Sequence, residues 1–113
     1  MKIAVVGCGH WGKNLVRNFS ELGVLAHVCD QNPSTVEYIK KHYRGVEVTD
    51  SIDELLARDD IDGLVIATPA STHYELVKLG LNNNKHIFVE KPLTDNYEEI
   101  NECFELSKKN NLI

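Results

Sequence analysis

Disulfide and metal chemistry have little to work with in this sequence. Its three cysteines, Cys8, Cys29 and Cys103, are an odd number with no CxxC pair among them. That spacing excludes a disulfide framework and a zinc ribbon, and no metal site is expected. Reduced thiols of a cytosolic protein are expected instead. Basic residues are also in deficit. Twelve Lys and Arg face seventeen Asp and Glu, for a net charge of −5. Nucleic acid and anionic membranes both require a dense basic face, so neither is expected as a partner. No apolar run approaches the ~20 residues of a membrane span. The opening MKIAVVGCGH reaches glycine after a very short apolar run. A secretory leader needs a longer one, so none is expected. Linkers, repeats and low-complexity stretches are absent too.

What remains is an ordinary globular composition, 42% hydrophobic and 26% charged. A chain of 113 residues forms one domain. It buries roughly 65% of its unfolded surface, enough for a core without staples. Lys2 to Val6 is an apolar run suited to a strand covered on both faces. Leu15, Val16, Phe19 and Leu22 then repeat at helical spacing, and Gly23 is placed to end that helix. Val24 to Cys29 reads as a second strand. Asn32-Pro33 opens a helix with Val36, Ile39 and Tyr43 on one face. Val46 to Val48 is a short strand, and Ser51 to Glu54 matches a capping box. Gly63 to Ala67 is again a two-sided strand. Thr72 to Glu75 matches a second capping box, and Asn82 to Asn84 should end its helix. His86 to Val89 is a fifth strand. Thr94 or Asp95 is expected to cap a last helix carrying Ile100, Cys103, Phe104 and Ser107 on one face. Five strand–helix alternations predict an α/β fold of Rossmann type. The sheet should be doubly wound and parallel, in strand order 3-2-1-4-5, with the sixth strand truncated or missing.

The strongest motif is Gly7-Cys8-Gly9-His10-Trp11-Gly12, a G-x-G-x-x-G between the first strand and the first helix. Gly7 permits a tight turn, Gly9 lets backbone approach a pyrophosphate, and Gly12 lets helix and strand pack closely. Amides around His10 and Trp11 then face the phosphates. Asp30 ends the second strand, where an acid accepts bonds from the adenine-ribose hydroxyls. A carboxylate there repels a 2′-phosphate, and Gln31 and Asn32 offer no cation to hold one. NAD is therefore expected over NADP. Competing readings are a packing turn for the glycines, a turn cap for Asp30 and a filled turn, not a reactive thiol, for Cys8. Trp11 fits either the pyrophosphate edge or the helix–sheet seam.

Two further segments end strands at the ligand-binding edge of such a sheet, Ala67-Thr68-Pro69-Ala70-Ser71-Thr72-His73 and Glu90-Lys91-Pro92. With GxGxxG, ATPxxxH and EKP in this order, the chain resembles the glucose–fructose oxidoreductase / inositol dehydrogenase family (Gfo/Idh/MocA). The resemblance covers all 113 residues, as an N-terminal NAD-binding Rossmann domain. It implies a C-terminal substrate domain that is absent from this chain. It also implies that Gly7, Gly9 and Gly12 hold the pyrophosphate and that Thr68 and Pro69 lie under the nicotinamide half. Lys91 is implied as the catalytic lysine, reaching the substrate hydroxyl and nicotinamide ribose, with a cis bond before Pro92. Glu90 pairs with Lys91 or caps a loop, and His73 is either structural or a donor to a neighbouring loop. GCGHWGKNLVRNFSELG, LAHVCD and THYEL are similar to the branch that oxidises nucleotide-linked amino sugars.

The implied activity is hydride transfer between NAD and a sugar or nucleotide-sugar hydroxyl. The alternative is a stand-alone nucleotide-binding module, a redox sensor or CoA-binding protein. By itself the chain is expected to bind cofactor without turnover. Its open sheet edge is expected to drive homo-oligomerisation.

Overall fold

Strands that are apolar on both sides need cover on both faces, and the chain supplies it by alternating with helices. The computed structural model describes residues 1–113. The elements are β1 (Ile3–Val6), α1 (Gly12–Glu21), β2 (Leu25–Cys29), α2 (Pro33–His42), β3 (Glu47–Thr49) and α3 (Ile52–Leu56), followed by β4 (Gly63–Ile66). A 3-10 turn at Ala70–Thr72 leads into α4 (His73–Asn82), β5 (His86–Val89) and α5 (Tyr97–Lys109). All pairings are parallel, in the expected order β3-β2-β1-β4-β5.

The pleat sorts the core into two layers. Ala4, Val6, Leu64 and Ile66 pack with Leu55 of α3, Leu81 of α4 and Cys103 of α5. Val5, Val28 and Val65 face the other way, onto Val16 of α1 and Ile39 of α2. The chain winds outward from β1 to β3, then returns to build β4 and β5 on the other side of β1. The carboxyl ends of β1 and β4 therefore open onto a crevice at the point where winding reverses.

Local signals place most element ends. Asn32 caps α2 by accepting from the Ser34 amide at 3.0 Å, with Pro33 in the first turn. Gly23 after α1 and Asn84 after α4 take left-handed backbone, with φ of 75° and 59°. Beyond α5, the Ile87 amide donates to the Ile113 carbonyl at 2.8 Å and the Ile113 amide to His86 Nδ1 at 3.0 Å, so the segment after α5 makes two bonds to β5. No helix is long and apolar enough to cross a membrane.

Four local expectations are corrected. Ser51 accepts from the Glu54 amide at 3.3 Å, but the Glu54 carboxylate turns to the Thr49 hydroxyl at 2.7 Å, so only half of that capping box forms. Thr72 caps nothing. It ends the 3-10 turn in helical backbone, and its hydroxyl bonds the Pro69 carbonyl and the Thr68 hydroxyl instead. Asn96, rather than Thr94 or Asp95, caps α5, accepting from the amides of Glu98 and Glu99. Thr94 instead accepts from the Asn96 amide and donates to Glu99. Phe104 is exposed, and Leu106 takes the inward place expected of it.

One buried titratable group couples this fold to pH. His27 on β2 is 5% exposed, with Nδ1 3.8 Å from the Glu47 carboxylate. Burial, then the Arg58 guanidinium, hold its imidazole below the ordinary range. The opposing pull of Glu47 is weaker because that carboxylate is largely exposed. A folded pKa below the unfolded one means that the unfolded chain binds the proton first. Stability is then full above about pH 6.5 and falls as pH drops through the window beneath it. Tm should decline on acidification from pH 7 to 5, and His27→Gln should flatten that part of the profile. A parallel decline in both proteins would show that His27 is not its source.

Candidate functional site

The glycine loop is fixed by two close approaches. Gly7 has φ of 89°, and a Cβ on it would lie 2.9 Å from the Ala67 carbonyl. A Cβ on Gly12 would lie 2.1 Å from the Gly7 oxygen, so the first turn of α1 rests directly on the end of β1. Gly9 differs, because a Cβ there meets nothing within 4 Å. It would project into the open space over the loop. The amides of Gly9, His10, Trp11 and Gly12 find no acceptor within the chain. They are the unsatisfied donors of a helix start, with the positive end of its dipole behind them. Such a cluster suits an anionic ligand oxygen.

Asp30 closes one side of this loop. One carboxylate oxygen accepts from the Cys8 amide at 2.7 Å and the other from the Asn32 amide at 2.8 Å. It is thus a turn anchor, as one reading held. Each oxygen keeps a second lone pair, enough for two hydroxyl donors. Cys8 is fully buried, and burial followed by the Asp30 charge pushes its thiol up to about 11. That removes the thiolate and leaves Cys8 as packing. Cys29 is held up to about 11 by the same two causes.

On the other side, the loop reaches the end of β5. The Trp11 indole is 57% exposed, and its N–H donates to Glu90 Oε1 at 2.7 Å. Trp11 therefore spans from the glycine loop to the Glu90-Lys91-Pro92 segment, and Glu90 pairs with it rather than with Lys91. Neither role assigned to these two side chains from sequence foresaw this bond. Lys91 is exposed and makes no ion pair or hydrogen bond within the chain. The Lys91-Pro92 bond is cis.

Thr68 and Pro69 leave β4 toward the same edge. His73 begins α4 beneath them, 2% exposed. Its Nε2 lies 2.8 Å from the Thr68 carbonyl and its Nδ1 2.7 Å from the Pro92 carbonyl. The TPxxxH spacing explains the first contact, since one 3-10 turn brings the ring back under Thr68. The second contact had no local signal. Gly7, Gly9, His10, Trp11, Gly12, Asp30, Thr68, Pro69, Glu90 and Lys91 all belong to the segments at the carboxyl ends of β1, β2, β4 and β5. No group of three or more His, Cys, Asp or Glu side chains is placed to hold a metal ion.

Known proteins share this fold. A probable dehydrogenase from Thermotoga maritima superposes with a TM-score of 0.92 at 26% identity, over 100% of this chain and 34% of its own. UDP-N-acetylglucosamine 3-dehydrogenase from Acidithiobacillus ferrooxidans is 28% identical, with a TM-score of 0.89 over 100% of this chain and 36% of its own. A scyllo-inositol dehydrogenase from Lactobacillus casei, solved with NAD(H) and scyllo-inositol, is 29% identical with a TM-score of 0.87, over 99% and 34%. This chain spans about a third of the length of each. Residues 1–113 match, throughout, the family described as an oxidoreductase family with an NAD-binding Rossmann fold. The chain belongs to that glucose–fructose oxidoreductase / inositol dehydrogenase family, and to its NAD-binding part.

Proposed function

We propose that residues 1–113 form the cofactor domain of a dehydrogenase that moves a hydride between NAD and the C–OH of a sugar or nucleotide sugar. The observation that carries this reading is the set of four unpartnered amides at Gly9 to Gly12, on the same sheet edge as Lys91. The residues present fit a dinucleotide. The open face of Gly9 leaves room for a pyrophosphate, with Gly7 and Gly12 shaping the turn and the His10 and Trp11 amides donating. Asp30 would take the adenine-ribose hydroxyls with its spare lone pairs. Thr68 and Pro69 would lie against the nicotinamide half, with Glu90 and Lys91 at its ribose. NAD, when bound, supplies the hydride acceptor. The unpaired Lys91 side chain would hydrogen-bond the substrate hydroxyl and, as the neutral amine, accept the hydroxyl proton as the C–H bond breaks and the hydride passes to NAD. The substrate class draws support from the two relatives named above, one for a nucleotide sugar and one for an inositol.

NAD is the preferred cofactor in this reading. Next to Asp30 in the chain, Gln31 helps line a groove of about 410 Å³ whose charged residues are Lys40, Glu37, Asp50 and Glu54. One cation against three carboxylates repels a 2′-phosphate as Asp30 does. Three buried free thiols suit a reducing compartment, the cytoplasm. The exposed edge of β5, with Phe88 54% accessible, suits self-association.

Ligand binding, loop variants and sedimentation test these proposals. At 100 times its dissociation constant, NADH should add about 2.7 kcal/mol of stability. NADPH should bind more weakly, and NAD reduction with UDP-sugars should not occur in the 113 residues alone. A shift with CoA and none with NAD(H) would favour a stand-alone nucleotide module. Gly9→Val should keep the wild-type Tm and lose both NADH binding and its effect on Trp11 fluorescence. Gly12→Ala should cost about 3 kcal/mol of stability, because its Cβ overlaps backbone. An unchanged NADH titration for Gly9→Val would remove the loop as the phosphate site. In sedimentation the chain should run as a dimer or larger, and a monomer at high concentration would reject self-association.

A further inference from the structure

The two segments flanking the proposed nicotinamide position have almost nothing in common by way of bonds. The β4–β5 ladder ends at Ile66 and Val89, and the last backbone bond across it is from the Glu90 amide to the Ile66 carbonyl at 3.0 Å. Past that point, 67–72 turns back toward α4 while 91–95 runs on toward α5. The Thr68 hydroxyl is engaged within its own turn, by Thr72. The only polar contacts bridging the two segments are those of the His73 ring, whose Nε2 and Nδ1 lie 2.8 and 2.7 Å from the carbonyls of Thr68 and Pro92; the neutral ring donates to one of them and the doubly protonated ring to both. Neither carbonyl has another donor within the chain.

We infer that His73 is a positioning residue that clasps these two segments and so sets the spacing between Thr68 and Lys91, the two sides of the nicotinamide half-site. The ring is buried, and it begins a ten-residue helix, so it is fixed relative to the sheet. Whichever nitrogen carries the proton in the neutral ring, one of the two carbonyls receives an N–H bond. When both nitrogens carry protons, both are bonded. An imidazole is wide enough to meet both carbonyls with opposite edges. A side chain that reaches only one of the two carbonyls contacts one segment and cannot fix its distance from the other. Lys91 follows directly, because the carbonyl gripped on that side belongs to the next residue, Pro92.

This inference rests on the proposed NAD site, and the test separates the two. ADP-ribose carries the adenine and pyrophosphate of NADH but lacks the nicotinamide ring. Wild-type protein should bind NADH more tightly than ADP-ribose. His73→Ala should bind ADP-ribose like wild type and lose about tenfold or more in NADH affinity. His73→Gln, whose amide can donate to one carbonyl but cannot touch both, should fall between. General damage to the fold would move both ligands together, so the ratio of the two affinities carries the result. Failure of wild type to bind either ligand would sink the NAD site itself. An unchanged NADH to ADP-ribose ratio in both variants would sink the role of His73, as would a wild-type protein with no preference for NADH. Should both variants fail to fold, the wild-type protein decides by NMR. A His73 ring N–H should be protected from solvent exchange and should shift on adding NADH but not ADP-ribose. A ring proton that is absent or indifferent to both would overturn the inference.

Discussion

Everything at the ligand edge depends on the contact between Gly12 and Gly7. With 2.1 Å between a would-be Cβ and the Gly7 oxygen, α1 begins closer to β1 than any side chain permits. The amides of Gly9 to Gly12, leading into this helix, are left without acceptors in the chain at the carboxyl end of the sheet. The same close approach fixes where Trp11 leaves the loop, and so which element its indole can reach. Moving α1 outward by the width of a methyl group would carry the Trp11 ring off Glu90 and loosen the Cys8 amide from Asp30.

From that anchor the edge is stitched by a few polar bonds rather than by packing. Asp30 ties the glycine loop to the end of β2, Trp11 ties it to the end of β5, and His73 ties the ends of β4 and β5 together. The core clusters lie below, on either side of the sheet. Exposed loops that lack apolar burial are the least stable parts of a fold. Side-chain bonds to main-chain atoms restrict them without filling the space that a ligand must enter. Loops held in this way lose less freedom when a ligand orders them, which is the physical content of preorganisation.

The sequence made the sheet legible because strand identity is a local property. Two-sided apolar runs separated by helical spacing leave few topologies, and Gly63 to Ile66 and His86 to Val89 read without ambiguity. Caps were harder. Several Asx, Ser and Thr residues crowd the starts of α2 to α5, and the winner depends on backbone angles set by the preceding turn. Thr72 lost its capping role to a 3-10 turn, and Asn96 outcompeted Thr94 and Asp95 because it holds extended backbone one residue before the helix. Phe104 misled because its spacing suits the buried face while its position does not. Motif residues at the site were legible from type and spacing. Their mutual bonds were not, since Trp11 and Glu90 are 79 residues apart and nothing local marks the pair.

Charge is the remaining apparent conflict. The chain carries −5 overall, yet the reading of its site calls for an anionic ligand. Main-chain amides resolve it. Four N–H groups and a helix dipole attract phosphate oxygens at short range, and they do so without lysine or arginine. The proposed reading gives the acidic residues around them a part in specificity rather than in affinity. In the proposed reading, Asp30 and the carboxylates of the neighbouring groove would disfavour an additional phosphate at the ribose, while the pyrophosphate would meet backbone donors. Had the loop relied on cations, the same surface would attract any polyanion, including nucleic acid. Placing the positive potential in the backbone, inside an acidic surround, confines it to a ligand small enough to lie along the sheet edge.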